Sequence, residues 1–166
     1  MSTADTQACT VLVKDSLRQL IEQQAHARHE AVYAQEGEGN AALSYADLLS
    51  SCQGVARVLA QQGLAMGDTV SVVMPNGLNT LRILLGGMWS GHCVNPVNLL
   101  AQPEQMRYVL EHSDCKLVIA TAQWAEQVQA LLKTIARPVK LLVTTESLAS
   151  LPGEEPGSGV SSHHPD

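Results

Sequence analysis

Between Thr69 and Thr145 the chain alternates two kinds of apolar pattern. The runs TVSVVM (Thr69 to Met74), KLVIAT (Lys116 to Thr121) and VKLLVTT (Val139 to Thr145) are β-branched and almost continuously apolar. A strand covered on both faces reads that way, whereas a half-exposed strand alternates. The segments between and before them carry helical periods. Leu48, Cys52, Val55, Ala56 and Leu59 recur at steps of four and three, as do Trp124, Val128, Leu131 and Leu132. Met106, Val109 and Leu110 form a shorter stripe behind Pro103, a residue suited to a first helical turn. After Asn76-Gly77, a helix with Leu78, Leu81, Leu84, Leu85, Met88 and Trp89 carries one charge, Arg82, and its apolar circumference predicts burial. Strand and helix in alternation predict an α/β fold: an open, mostly parallel sheet with flanking helices. Three or four short strands and a nearly all-apolar helix look like half of such a domain, because an open sheet needs both faces covered and a protected edge.

Local signals refine the reading. In LSYADLL, Ser44 followed by Asp47 is a capping box that starts a helix. Asn76 and Gly77 fall at the carboxyl end of a strand, the edge where open α/β sheets bind ligands, although a strand-ending turn is the commoner explanation. The end of the chain, LPGEEPGSGVSSHHPD from Leu151 to Asp166, is Pro, Gly, Ser and acid without apolar period, and reads as a linker.

Composition narrows the function classes. The chain has 166 residues, a formal net charge of −6 and five aromatic residues with no Phe. Its ten Lys and Arg are scattered, so neither a basic surface nor stacking platforms for nucleic acid are visible. The amino terminus lacks a basic n-region and a long apolar run, so it does not read as a signal peptide. The uncharged stretch after Ile83 contains Gly86, Gly87, Gly91, Asn95, Pro96 and Asn98, which argues against a membrane span. Cys9, Cys52, Cys93 and Cys115 are far apart with no CxxC pair, and read as small buried hydrophobes in a reducing compartment. A soluble, cytoplasmic protein is expected.

Candidate chemistry is sparse. Glu22, His26, His29 and Glu30 have a spacing that could gather metal ligands on a helix, but they lie opposite Leu17, Leu20 and Ile21 and are expected to face water. His163 and His164 lie in the terminal linker, where nothing would hold them in convergence. Ser90 in MWSGHC lacks the glycine that a nucleophile elbow needs two residues earlier, since Met88 stands there, and the adjacent His92 is not expected to reach it. A phosphate cradle needs closely spaced glycines and commonly a lysine; GLAMGD and GGMWSG have the wrong spacing, and Gly157 and Gly159 precede no helix. No catalytic, cofactor-binding or metal-ligating residue is assigned.

The order of the pieces is more specific than any one of them. LSYADLLSSCQGVARVLAQQGLAMGDTVSVVMPNG, then GHCVNPVN, then EQMRYVLEHSDCKLVIAT resembles the N-terminal part of the adenylate-forming, or AMP-binding, superfamily. The first core motif of that family looks like Leu43 to Leu48, with Asp47 where Glu is usual. Gly67-Asp68, Pro75-Asn76 and the segment from Gly91 to Pro96-Val97-Asn98 are similar to its next landmarks, and Cys115 falls where a small residue is common. The resemblance covers about Leu43 to Thr121 well and the flanks loosely.

It implies residues 1–150 as a partial N-terminal subdomain and 151–166 as a flexible linker to a missing remainder. It also implies an acyl-CoA synthetase-like parent, of the kind found in fatty acid metabolism. Such a ligase joins a carboxylate to AMP and then transfers the acyl group to CoA, using ATP and Mg²⁺. The phosphate loop and the catalytic Lys of that family would lie after Asp166, so the chain alone is expected to bind none of these cofactors and to be inert. Two other readings remain open at this level. One is a self-contained flavodoxin-like module holding a ligand near Asn76 and His92. The other is a non-catalytic interaction protein that self-associates through an uncovered sheet edge.

Overall fold

The computed structural model describes residues 16–37, 40–148 and 151–154. Elements follow in the order α1 (Leu17–Ala27), β1 (Val32–Gln35), β2 (Ala42–Ser44), α2 (Tyr45–Gln61), β3 (Thr69–Val73), α3 (Leu78–Trp89), β4 (Cys93–Pro96), α4 (Pro103–His112), β5 (Leu117–Thr121), α5 (Ala122–Leu132) and β6 (Lys140–Thr144). Four parallel strands pair in the order β4-β3-β5-β6. The three runs expected as strands are β3, β5 and β6. Two features were not expected: β4, and the antiparallel hairpin β1–β2 that precedes α2.

In β3 and β5 the continuous apolar runs have the cause assigned to them, since alternate residues face opposite helical layers, whereas β6 is only partly covered, with Val143 exposed. Val70, Val72, Leu117 and Ile119 pack against Val55, Val58 and Leu59 of α2 and Ile83 of α3. On the other face Val73, Val118 and Ala120 meet Met106 and Leu110 of α4 and Val128 of α5. Helix α1 forms an outer layer, with Ile21 packed among Leu48, Cys52 and Trp89. The guanidinium of Arg18 sits 4.0 Å from the centre of the Trp89 ring.

Helix ends carry their own signals. Ser44 Oγ accepts the amide of Asp47 at 3.1 Å while an Asp47 carboxylate oxygen accepts the amide of Ser44 at 3.1 Å, so the expected capping box is formed. Gly63, at φ +78°, ends α2 with bonds from its amide to Ala60 O and from the Leu64 amide to Leu59 O, the paired closure that a left-handed residue permits. Arg137 secures the end of α4 by donating to the carbonyls of Leu110, Glu111 and Cys115.

Several expectations need correction. Cys93 is exposed, while Cys52 and Cys115 are buried as expected and Cys9 lies outside the described residues. Val109 is exposed although Met106 and Leu110 are buried. Helix α3 is buried as expected through Leu78, Ile83, Gly86, Gly87 and Trp89, but its charge is buried too: Arg82 is 1% exposed, whereas Met88 is exposed and Leu81, Leu84 and Leu85 are only half-buried. Leu151 and Glu154, expected at the start of a linker, are buried at 2% and 8% exposure. The remaining stretch, 155–166, lies outside the described residues. Among the described residues no helix is long and apolar enough to cross a membrane.

At the amino end of the sheet, the turn from α3 into β4 gathers polar groups. Ser90 Oγ is 2.9 Å from Gly86 O, 3.0 Å from Gly87 O and 2.9 Å from His92 Nδ1. His92 does reach Ser90, because the helix ends at Trp89 and the turn folds the ring back over its last carbonyls. An Nδ1–H donating to Ser90 Oγ, with the hydroxyl donating to a helix carbonyl, makes this a C-cap. Asp68 nearby bonds Lys116 Nζ at 2.7 Å and the Ala65 amide at 2.8 Å.

Two predictions follow from this packing. A Cβ on Gly86 would sit 2.6 Å from Val55 Cβ, and one on Gly87 would sit 2.6 Å from Val94 Cγ2. The glycine pair thus sets α3 close to both α2 and β4, and Gly86→Ala should cost about 1–3 kcal/mol in urea unfolding; an unchanged midpoint would contradict the close approach. The second concerns pH. Burial lowers the pKa of His92 below its ordinary 6.5, with Asp68 opposing only in part. Below that value the unfolded chain takes up a proton that the folded chain resists, so stability falls as pH drops from about 6.5 toward the folded value. The hydrogen bond from Lys116, then that from Ala65, lowers Asp68, whose contribution is lost in a separate window below 3.8. Between about pH 7 and 5 the urea midpoint should fall less in His92→Gln than in the wild-type chain. Parallel profiles would contradict the assignment.

Candidate functional site

The sheet order creates one reversal. The chain leaves β3 for α3 on one face, and leaves β5 for α5 on the other, although β3 and β5 are neighbours. Diverging connections open a crevice beyond the carboxyl ends of such strands, where ligands of open α/β sheets bind.

The groups at that edge are few. Asn76 and Gly77 are exposed between β3 and α3. Thr80 Oγ1 donates to Pro75 O at 2.5 Å and fixes the turn, while the first turn of α3 receives no side-chain cap. A cleft of about 450 Å³ lies there, lined by Glu36 and Gly37 beyond β1 as well as by Asn76, Gly77, Leu78 and Leu81. The Oγ1 of Thr121, at the end of β5, is buried with no hydrogen-bond partner among the described residues. Asn79 Nδ2 donates to Thr145 O at 2.6 Å, tying the start of α3 to the end of β6.

A triphosphate is held by clustered amide donors and a cation; among the described residues this cleft is lined by Glu36 and by no Lys or Arg. The one basic residue of α3, Arg82, is turned away into the interior, where it meets Glu154.

The remaining candidates are scattered. Glu22, His26, His29 and Glu30 are exposed, but α1 ends at Ala27, so the two latter residues lie beyond the helix; His29 Nδ1 meets Glu30 Oε1 at 2.5 Å. Among the described residues no group of three or more His, Cys, Asp or Glu is placed to hold a metal ion. Ser90 and His92 lie at the opposite, amino end of the sheet from Asn76. His163, His164, Gly157 and Gly159 lie outside the described residues. Sequence reasoning missed the polar line through Asn79, Arg82 and Glu154. Its one visible signal was a lone charge on an otherwise apolar helix.

Comparison with known proteins locates this architecture. A family model described as AMP-binding enzyme matches residues 21–165. The sulfoacetate–CoA ligase of Cupriavidus necator is 39% identical over 140 residues, which is 84% of this chain and 28% of that enzyme. The N-terminal domain of FACL13 from Mycobacterium tuberculosis superposes with a TM-score of 0.70 at 23% identity, over 78% of this chain and 33% of that one. A benzoate CoA ligase from Burkholderia xenovorans gives a TM-score of 0.70 at 20% identity, over 79% of this chain and 26% of its own. The chain thus spans about a third or less of the length of these proteins. With its open parallel sheet, its two helical layers and a family match over nearly its whole length, this chain belongs to the AMP-binding enzyme family.

Proposed function

We propose that the chain supplies the amino-terminal scaffold of an acid–CoA ligase and does not carry out the ligation alone. The observation that carries this reading is the 39% identity over 84% of the chain to a ligase of a small acid.

The chemistry such a ligase performs follows from the poor electrophilicity of a carboxylate. A carboxylate oxygen attacks the α-phosphorus of ATP, the bond to the bridging oxygen breaks, and pyrophosphate leaves. The resulting acyl-AMP is then attacked by the CoA thiolate, and AMP departs as the thioester forms. Charge accumulates in the first step, and fixed amide dipoles, cations and a divalent metal stabilise it. Mg²⁺ and ATP would act through residues other than those described here, because the edge beside Asn76 carries an acid and no base.

What this chain's own residues contribute is position. Strands β3, β5 and β6 present their carboxyl ends together, and Thr80 and Asn79 hold the turns there. Strand β6 has a neighbour on one side only among the described residues, which suits a sheet that continues or pairs with a further strand. Sulfoacetate, the acid named for the relative, makes small anionic acids the first class to test.

Two assays test the reading. The isolated chain should show no ATP-dependent pyrophosphate exchange or hydroxamate formation with sulfoacetate, benzoate or a fatty acid; turnover would contradict the scaffold role. A chimera in which this chain replaces the matching segment of the Cupriavidus ligase should regain thioester formation. A folded chimera without adenylate formation would contradict membership of the ligase scaffold.

A further inference from the structure

The single charge of α3 points into the protein and meets a carboxylate 72 residues away. Arg82 Nη1 lies 3.1 Å from each oxygen of Glu154, and both side chains are essentially inaccessible to solvent. Arg82 Nε donates to Asn79 Oδ1 at 2.7 Å, and Asn79 Nδ2 donates to Thr145 O at 2.6 Å. A polar line therefore runs along the buried side of α3 and grips the chain just after β6 at Thr145 and again at Glu154.

The far end is shaped to be gripped. Glu154 Oε2 accepts the Leu151 amide at 2.6 Å, and the Glu154 amide donates to Leu151 O at 2.9 Å. Leu151 packs into the cluster of Val55, Val58 and Ile83, between helices and sheet. Gly54 of α2 leaves the space that the Glu154 carboxylate occupies, since a Cβ there would collide with it.

We infer that Arg82, Asn79 and Glu154 form a latch that makes the seating of Leu151 to Glu154 and the seating of α3 one cooperative event. A guanidinium stays charged at any ordinary pH, and burying it without a counter-charge is strongly unfavourable. Among the described residues, the carboxylate set against Arg82 is that of Glu154. Lifting Leu151 to Glu154 away would take that carboxylate from beside Arg82 and force the inner side of α3 toward water. Asn79 lies in the first turn of that helix, two residues from Gly77, so the latch also links the chain beyond β6 to the carboxyl edge of the sheet. The coupling concerns folding and holds whichever acid, if any, that edge serves.

Amide exchange measured by NMR on the full 166-residue chain tests the latch. In Glu154→Ala, protection of Ile83 in α3 and of Leu151 should fall together by about 100-fold or more, as the loss of one member of a buried pair requires. In the double variant Arg82→Met with Glu154→Leu, Ile83 should recover to within about tenfold of wild type, because an apolar pair strands no charge. Leu151 should stay unprotected there, having lost its carboxylate acceptor. Loss of Leu151 protection alone in Glu154→Ala, with Ile83 unchanged, would overturn the inference. Should Glu154→Ala fail to fold, the double variant decides: a folded double variant supports the latch, and an unfolded one overturns it.

Discussion

A buried guanidinium imposes a condition that apolar packing does not. Leu or Val in the place of Arg82 could be covered by many arrangements of neighbouring chain. Arg82 needs a carboxylate at one position, in a space left by Gly54 on the adjacent helix. That requirement joins three elements distant in sequence: α2 through Gly54, α3 through Arg82 and Asn79, and the segment after β6 through Thr145 and Glu154. The helical layer over Val70, Val72, Leu117 and Ile119 is thereby fixed in register as well as in composition. Hydrophobic burial supplies most of the stability of such a layer, and a buried ion pair adds little net stability over an apolar pair of similar volume, although losing one member of it is costly.

The same layer positions the carboxyl edge. Gly86 and Gly87 bring α3 close to Val55 and Val94, so the helix start at Gly77 is held by contacts at its far end as well as by Thr80. The edge that results has the topology of a ligand site and little of the chemistry. Asn76, Gly77 and the buried hydroxyl of Thr121 are neutral, and Glu36 opposes a phosphate. This division is in keeping with the scaffold role proposed above.

Much of the fold was legible in the sequence, and the reasons for the misses are physical. The runs at β3 and β5 read correctly because burial on both faces favours apolar residues at successive positions, and β6 read correctly from its β-branched and aliphatic residues although it is only partly covered. The capping box read correctly because Ser44 and Asp47 act within one helical turn. Strand β4 was hidden by Asn95 and Pro96, which an edge strand tolerates because one of its sides needs no ladder. The β1–β2 hairpin was hidden by its short strands and by the exposure of most of β1. The burial of Arg82 was not legible, since its partner Glu154 lies far along the chain. Leu151 and Glu154 were masked by the surrounding Pro and Gly, because composition averages over residues that behave individually. The contact of Ser90 with His92 depends on where α3 stops, which apolar periodicity does not define. The candidate site was legible only as a location, Asn76-Gly77 at a strand end, because its other members come from the end of β1, from β5 and from the chain just after β6.

The central claim is that Arg82 and Glu154 act as a unit that holds α3 and the segment after β6 together. A double-mutant cycle of urea unfolding with Arg82→Met, Glu154→Leu and their combination measures this most directly. The account predicts that each single variant is strongly destabilised, that the combination is near wild type, and that the coupling is about 2 kcal/mol or more. Additive single effects, with coupling near zero, would contradict it.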